Sequence, residues 1–174
     1  MDVVFLGGKT LKIKGKNATI VVNPTSSISK TEADAIILSS SFPDFSGVKV
    51  DGSRITIKSP GEYELGGIKI SAISRNSDSI NIVDVDNVKI LLGDGLAIEK
   101  NHEKTESFDI AVINADNEFD YSIISSLEPK VLIVYGEKKN LVLKSLGKED
   151  APKSSKFSTT FEKLPSEMQV VSFE

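Results

Sequence analysis

Four short apolar runs in this chain end in the same way. Ile36-Ile37-Leu38 stops at Ser39-Ser40-Ser41, and Ile90-Leu91-Leu92 stops at Gly93-Asp94-Gly95. Ala111-Val112-Ile113 stops at Asn114-Ala115-Asp116, and Leu132-Ile133-Val134 stops at Tyr135-Gly136-Glu137. Brief runs of this kind, bounded by turn residues, read as buried strands. In α/β folds the crevice outside the carboxyl ends of such strands is the usual ligand site. Small and acidic residues at all four ends make that edge the candidate pocket.

The rest of the chain supplies sheet around these runs. Leu11 and Ile13 alternate with Lys12 and Lys14, the period of a half-buried strand. Lys16-Asn17 suits a hairpin turn into Thr19 to Val22. The lysines at 12, 14 and 16 read as a solvated strand face, not a phosphate patch. Ile55, Ile57, Ile68, Ile70 and Ala72 continue the alternation. Ile80 to Val85 and Val88 to Leu92 form a hairpin about Asp86-Asn87. Lys30 to Asp34 suits one helical turn. Phe119, Ile123 and Leu127 recur at helical spacing before Pro129, and Leu141 to Leu146 suits a second helix closed by Gly147. Strand, helix and strand from Asp109 to Val134 predict a parallel pair with a crossover. Asp150 to Thr160 is polar and reads as loop, and Met168 to Phe173 as a last strand. The class is mixed α/β with more strand than helix, in two face-to-face sheets or one large one. At 174 residues and without a linker-like stretch, the expectation is one domain over 1–174.

Composition removes several function classes. The formal net charge of -4 argues against a nucleic-acid partner. Absence of cysteine rules out disulfides and thiolate metal sites. No apolar run reaches the roughly 20 residues of a membrane span, and Met1-Asp2 leads straight into Val3-Val4-Phe5-Leu6 with no basic leader, so a cytoplasmic protein is expected. Gly7-Gly8-Lys9-Thr10 lacks the upstream glycine spacing of a phosphate loop. Ser39, Ser40 and Ser41 have no positioned base, and His102 sits in a charged segment that reads as surface.

Taken in order, several segments resemble the metallo-β-lactamase superfamily, in particular its compact lactonase-like hydrolases. Val4 to Gly8 is similar to the family's opening strand and glycine turn, and Thr19 to Pro24 to its third strand, where Asp-Pro is usual. Ser59 to Glu64 resembles its proline-glycine-glutamate segment. Gly93-Asp94 resembles the glycine-aspartate that supplies a bridging carboxylate. Pro129 to Val134 resembles the last core strand, and Leu164-Pro165 to Val171 the closing segment. The resemblance implies an αββα sandwich, two sheets with short outer helices, and a zinc-dependent hydrolytic site.

That resemblance also exposes what is missing. The family signature His-x-His-x-Asp-His falls on Ser40-Ser41-Phe42-Pro43-Asp44-Phe45. Ser40, Phe42 and Phe45 stand where imidazoles belong, and Asp44 alone is kept. No histidine stands near Arg75 or Asn76, and the family's last histidine aligns with Gly136. The resemblance thus implies zinc as the cofactor while its ligands are absent, with Asp44 and Asp94 as an acidic remnant. A phenyl ring has no lone pair to give a metal. Without one, water keeps a pKa near 15.7 and supplies no hydroxide at neutral pH. The expected function is a pseudo-hydrolase, a binding or scaffold module without catalytic residues. The alternative is a divergent hydrolase that uses Asp44 and Asp94 with a non-zinc divalent metal, for which Glu62 and Glu64 are further oxygen ligands if they converge. Asp94 as a turn cap and Glu62 and Glu64 as solvent-facing residues are the simpler roles. Neither a partner nor a ligand follows from the residues, and a homo-oligomer is one form the resemblance allows.

Overall fold

The computed structural model describes residues 1–39, 48–75, 78–105 and 107–174. The strands in chain order are β1 (Asp2–Gly7), β2 (Thr10–Lys14), β3 (Thr19–Val22), β4 (Thr31–Glu32), β5 (Ala35–Ile37), β6 (Val50–Asp51), β7 (Ile55–Ile57) and β8 (Gly61–Leu65). They continue as β9 (Ile68–Arg75), β10 (Asp78–Val85), β11 (Val88–Asp94), β12 (Ile110–Asn114), β13 (Val131–Tyr135), β14 (Lys153–Ser154), β15 (Lys156–Ser158) and β16 (Gln169–Phe173). Three helices interrupt them: α1 (Gly95–Asn101), α2 (Ile123–Leu127) and α3 (Lys139–Ser145).

Two large sheets result. One has the order β15-β1-β2-β3-β5-β7, the other β14-β16-β13-β12-β11-β10-β9-β8, and β4-β6 is a separate ribbon. Period-2 alternation explains the first sheet: Leu11 and Ile13 are buried, whereas Lys12 and Lys14 point the other way. Inward side chains of both sheets meet in one core that includes Ile13, Ile20 and Ile37 from the first and Ile90, Val112 and Ile133 from the second. The opposite face of the second sheet carries a further apolar layer, in which Leu91, Ala111, Leu132 and Val134 pack against Ile98, Ile124 and Val142 of the three helices. Strands β12 and β13 are covered on both faces, which is why all five residues of each are buried.

The expected pairing is present. β12 and β13 are parallel with α2 between them, and Asp86-Asn87 turns β10 into β11 with φ of 53° and 66°. Gly15 donates to the Ala18 carbonyl at 2.9 Å, closing the turn at Lys16-Asn17. Other expectations need correction. Lys30 to Asp34 is not a helical turn. Thr31 and Glu32 form β4, whose partner is β6, and Lys12 Nζ reaches Thr31 Oγ1 at 2.9 Å from the outward face of β2. Asp150 to Thr160 is not wholly loop. Lys156 to Ser158 pair with β1 as an edge strand, and Lys153 and Ser154 pair with β16. These edge strands are too short to show an apolar alternation: β14 is Lys153-Ser154, and β15 sends only Phe157 toward the core. The helix α1 was not expected at all, since Gly93-Asp94-Gly95 reads as a turn.

Among the described residues, no helix is long and apolar enough to cross a membrane.

Candidate functional site

Register brings the expected strand ends together. β11 and β12 pair Asp94 with Asn114, and β12 and β13 pair Asn114 with Tyr135. Parallel strands of matched length therefore place Asp94, Asn114 and Tyr135 in one row. Across the cleft, at the same end of the first sheet, stand Asn23 and Ser39. Asn23 adopts φ 47° just beyond β3, a conformation that asparagine tolerates better than most residues. Its Oδ1 accepts from Ser39 N at 2.8 Å and from Ser39 Oγ at 3.1 Å. Its carbonyl accepts from Thr10 Oγ1 at 2.8 Å. Lys9, from the turn between β1 and β2, lines the cleft as well.

The row is wired internally. Asp94 caps α1, its Oδ1 accepting from Leu96 N at 3.1 Å. Asn114 Nδ2 donates to Asp94 Oδ2 at 3.3 Å and to Asp116 Oδ2 at 3.2 Å. Asp116 Oδ2 also pairs with Lys9 Nζ at 2.9 Å, and Asp116 Oδ1 accepts from Glu137 N at 3.1 Å. The two acids sit in different fields. Burial raises the pKa of Asp94 above the usual carboxylate value, and Asp116 nearby adds to this against the Leu96 N–H and Lys9. Burial opposes ionisation of Asp116 too, but the bonds from Lys9, Glu137 N–H and Asn114 outweigh it and lower its pKa. Tyr135 is buried, and burial with the two nearby carboxylates raises its phenol far above its ordinary value. It remains a neutral hydroxyl and is no general base.

Gly136 closes the row with φ 102°, in the region that favours glycine. A Cβ there would come within 2.7 Å of Asn114 Oδ1 and Asp116 Oδ1, and 2.9 Å of the Ala115 carbonyl carbon. Position 136 therefore has room for neither an imidazole nor a methyl group without backbone movement.

The other sequence-predicted positions divide. Ser40, Phe42, Asp44 and Phe45 lie outside the described residues, as does Asn76. Glu62 and Glu64 are exposed on β8, three strands from β11 at the sheet edge, and Glu62 Oε1 accepts from Ser71 Oγ at 2.6 Å. They do not join Asp94. His102 is half-buried rather than a free surface residue. It follows α1, with the seven helix residues, about 10 Å, between it and Asp94. Its Nδ1 lies 2.7 Å from the Glu99 carbonyl. Asp116 belongs to one of the four strand ends that the sequence marks as the pocket edge, without singling it out. Lys9 is the residue that sequence reasoning missed, since it follows the glycine turn and carries no apolar pattern.

The described donors do not fit zinc. Zinc takes imidazole nitrogen, thiolate or carboxylate in a tetrahedral shell. The whole chain offers one histidine and no cysteine. Among the described residues no three His, Cys, Asp or Glu side chains converge. The row's carboxylate oxygens already face donors from Lys9, Asn114, Leu96 and Glu137.

Comparison with known proteins agrees with this architecture. Residues 2–133 match the family described as the Beta-lactamase superfamily domain. The chain belongs to that family. It superposes over its whole length on a proposed Zn-dependent hydrolase of the metallo-β-lactamase superfamily from Thermotoga maritima, with 99% of that chain covered, a TM-score of 0.75 and 19% identity. A proposed metal-dependent hydrolase from Parabacteroides distasonis aligns with 97% of this chain and 91% of its own, with a TM-score of 0.63 and 15% identity. At such identities the likeness is one of fold. No curated protein sequence matches the chain.

Proposed function

We propose that this chain is a metallo-β-lactamase-fold pseudo-hydrolase: a single domain over 1–174 that works in the cytoplasm as a binding or scaffold module. One observation carries the reading. Asp44 apart, the positions that would hold metal are either of the wrong chemistry or already bonded within the chain. Ser40, Phe42, Phe45 and Gly136 replace imidazoles. Asp94 serves α1 and Asn114 instead of a cation. Asp44 is then an acidic remnant, and Phe42 and Phe45 offer no lone pair where the resemblance places ligands. Metal-assisted hydrolysis needs a hydroxide that these groups do not generate at neutral pH.

Purified protein should carry no stoichiometric zinc by elemental analysis. Its melting temperature should not move with calcium, magnesium or manganese, because only a ligand that favours the native state raises it. A large shift with one of these metals, together with metal-dependent ester or phosphodiester hydrolysis lost in Asp44→Ala, would establish the divergent hydrolase instead.

A further inference from the structure

Two acids at one end of a sheet require positive charge nearby. Asp94 and Asp116 share a single amide, Asn114 Nδ2, at 3.3 and 3.2 Å, and the charge of Asp116 disfavours ionisation of Asp94. In a metal hydrolase the divalent ion supplies that charge. Here the nearest cation is covalently part of the chain. The Gly7-Gly8 turn, with φ of 105° and 58°, delivers Lys9 to the rim of the cleft, and Lys9 Nζ lies 2.9 Å from Asp116 Oδ2. Thr10 anchors the other side of the turn, its hydroxyl donating to the Asn23 carbonyl at 2.8 Å and accepting from Thr25 N at 3.2 Å. The favourable field of Lys9 extends to Asp94.

A second observation is independent of the acids. Asn114 is 6% exposed, and its Oδ1 is buried with no hydrogen-bond partner. The amide orientation follows from its neighbours, since Nδ2 faces two carboxylates that an oxygen would repel. Oδ1 is thereby turned away from Asp94 Oδ2 and Asp116 Oδ2 and toward the tight approach of Gly136, beside Asp116 Oδ1. The carboxylates of Asp94 and Asp116 are the hard oxygen donors that magnesium, calcium and manganese take.

We propose that Lys9 is an internal counter-cation. Its ammonium neutralises the acidic row in place of a divalent ion and keeps such ions out. This rests on the metal-free reading above, and it assigns to the glycine-lysine turn a role in holding the cleft closed to cations.

The test is a manganese titration of the full chain, read by calorimetry and by the electron spin signal of free manganese. Wild type and Lys9→Arg should bind no manganese at the row. Lys9→Met, which keeps the stem and loses the charge, should bind one manganese ion, at least about tenfold more tightly than the weakest binding the titration detects. The gain should vanish in Lys9→Met combined with Asp116→Asn. Lys9→Gln, which keeps a donor toward Asp116, serves if the methionine variant does not fold. A metal-free wild type whose Lys9→Met and Lys9→Gln variants also bind nothing would overturn the role of Lys9 alone. Tight manganese binding by wild type, with matching hydrolysis, would overturn the metal-free reading itself.

Discussion

The middle of the second sheet and its carboxyl-end rim are built on the same strands yet differ in everything else. Two residues below the row, Leu92, Val112 and Ile133 are buried in hydrocarbon. At the rim, Asp94 caps α1 and accepts from Asn114, and Asn114 also donates to Asp116, which pairs with Lys9. Hydrocarbon fixes the fold by volume and period, and almost any apolar side chain of the right size satisfies it. The rim depends on particular atoms. A fold can therefore outlive its chemistry: imidazoles can leave the rim without removing one contact from the layer beneath.

Substitution can break this contrast, most severely in the hydrocarbon layer. Ile133→Ala, at a fully buried site, should cost about 2–5 kcal/mol in urea unfolding. If it costs no more than a rim substitution such as Asn114→Ala, the two layers do not differ as described. Gly136→His should restore the ligand type without restoring a site. Its positive φ and the approach to Ala115 should cost about 1–3 kcal/mol, with no gain in zinc binding by elemental analysis. Recovery of zinc in that variant would show that the rim can still be re-equipped.

The two acids should respond in opposite directions, with smaller effects. Asp116 has a lowered pKa, so its ionised form stabilises the fold above its ordinary value of 3.8, and that contribution fades as pH falls through the lowered value. Asp116→Asn should lose about 0.2–1 kcal/mol at pH 7, the range of a partly exposed ion pair, and less in acid. Asp94 has a raised pKa, so its folded form holds a proton more tightly than the unfolded chain. Its contribution is most favourable in acid and is lost as pH rises from 3.8 through the raised value. Asp94→Asn keeps a cap acceptor and removes the buried charge. It should leave the melting temperature at pH 7 unchanged or slightly higher, with no difference at pH 3. A marked loss at pH 7 would mean that the Asp94 charge is needed, as a cation ligand would need it.

Legibility in the sequence follows the same division. The buried runs at Ile90, Ala111 and Leu132, the turn at Asp86-Asn87 and the end at Gly147 are visible because periodicity and turn chemistry are local. The edge strands at Lys153 and Lys156 are not, because their pairing is with backbone distant in sequence. α1 was hidden for a related reason. Gly95 is a poor helix former, and its place at the helix start follows from Asp94 as cap and from packing, neither of which the local composition displays. The row itself was half legible. Asp94 and Gly136 follow from the family resemblance. The pairing of Lys9 with Asp116 is a 2.9 Å contact between residues more than a hundred positions apart, which no local pattern displays.

Gly95 has one more consequence. A Cβ on it would collide with Cδ1 and Cε1 of Phe119, so the first turn of α1 lies flush against the segment that leaves β12. Phe119 is in turn set edge-on against Tyr121 at 5.0 Å, and Glu99 of α1 accepts from Asp120 N at 3.0 Å. The helix and the segment form one plate, and Asp94 and Asp116 ride on opposite margins of it. Their spacing accordingly depends on how closely that glycine lets the helix seat, while on the opposite wall Asn23 clasps Ser39.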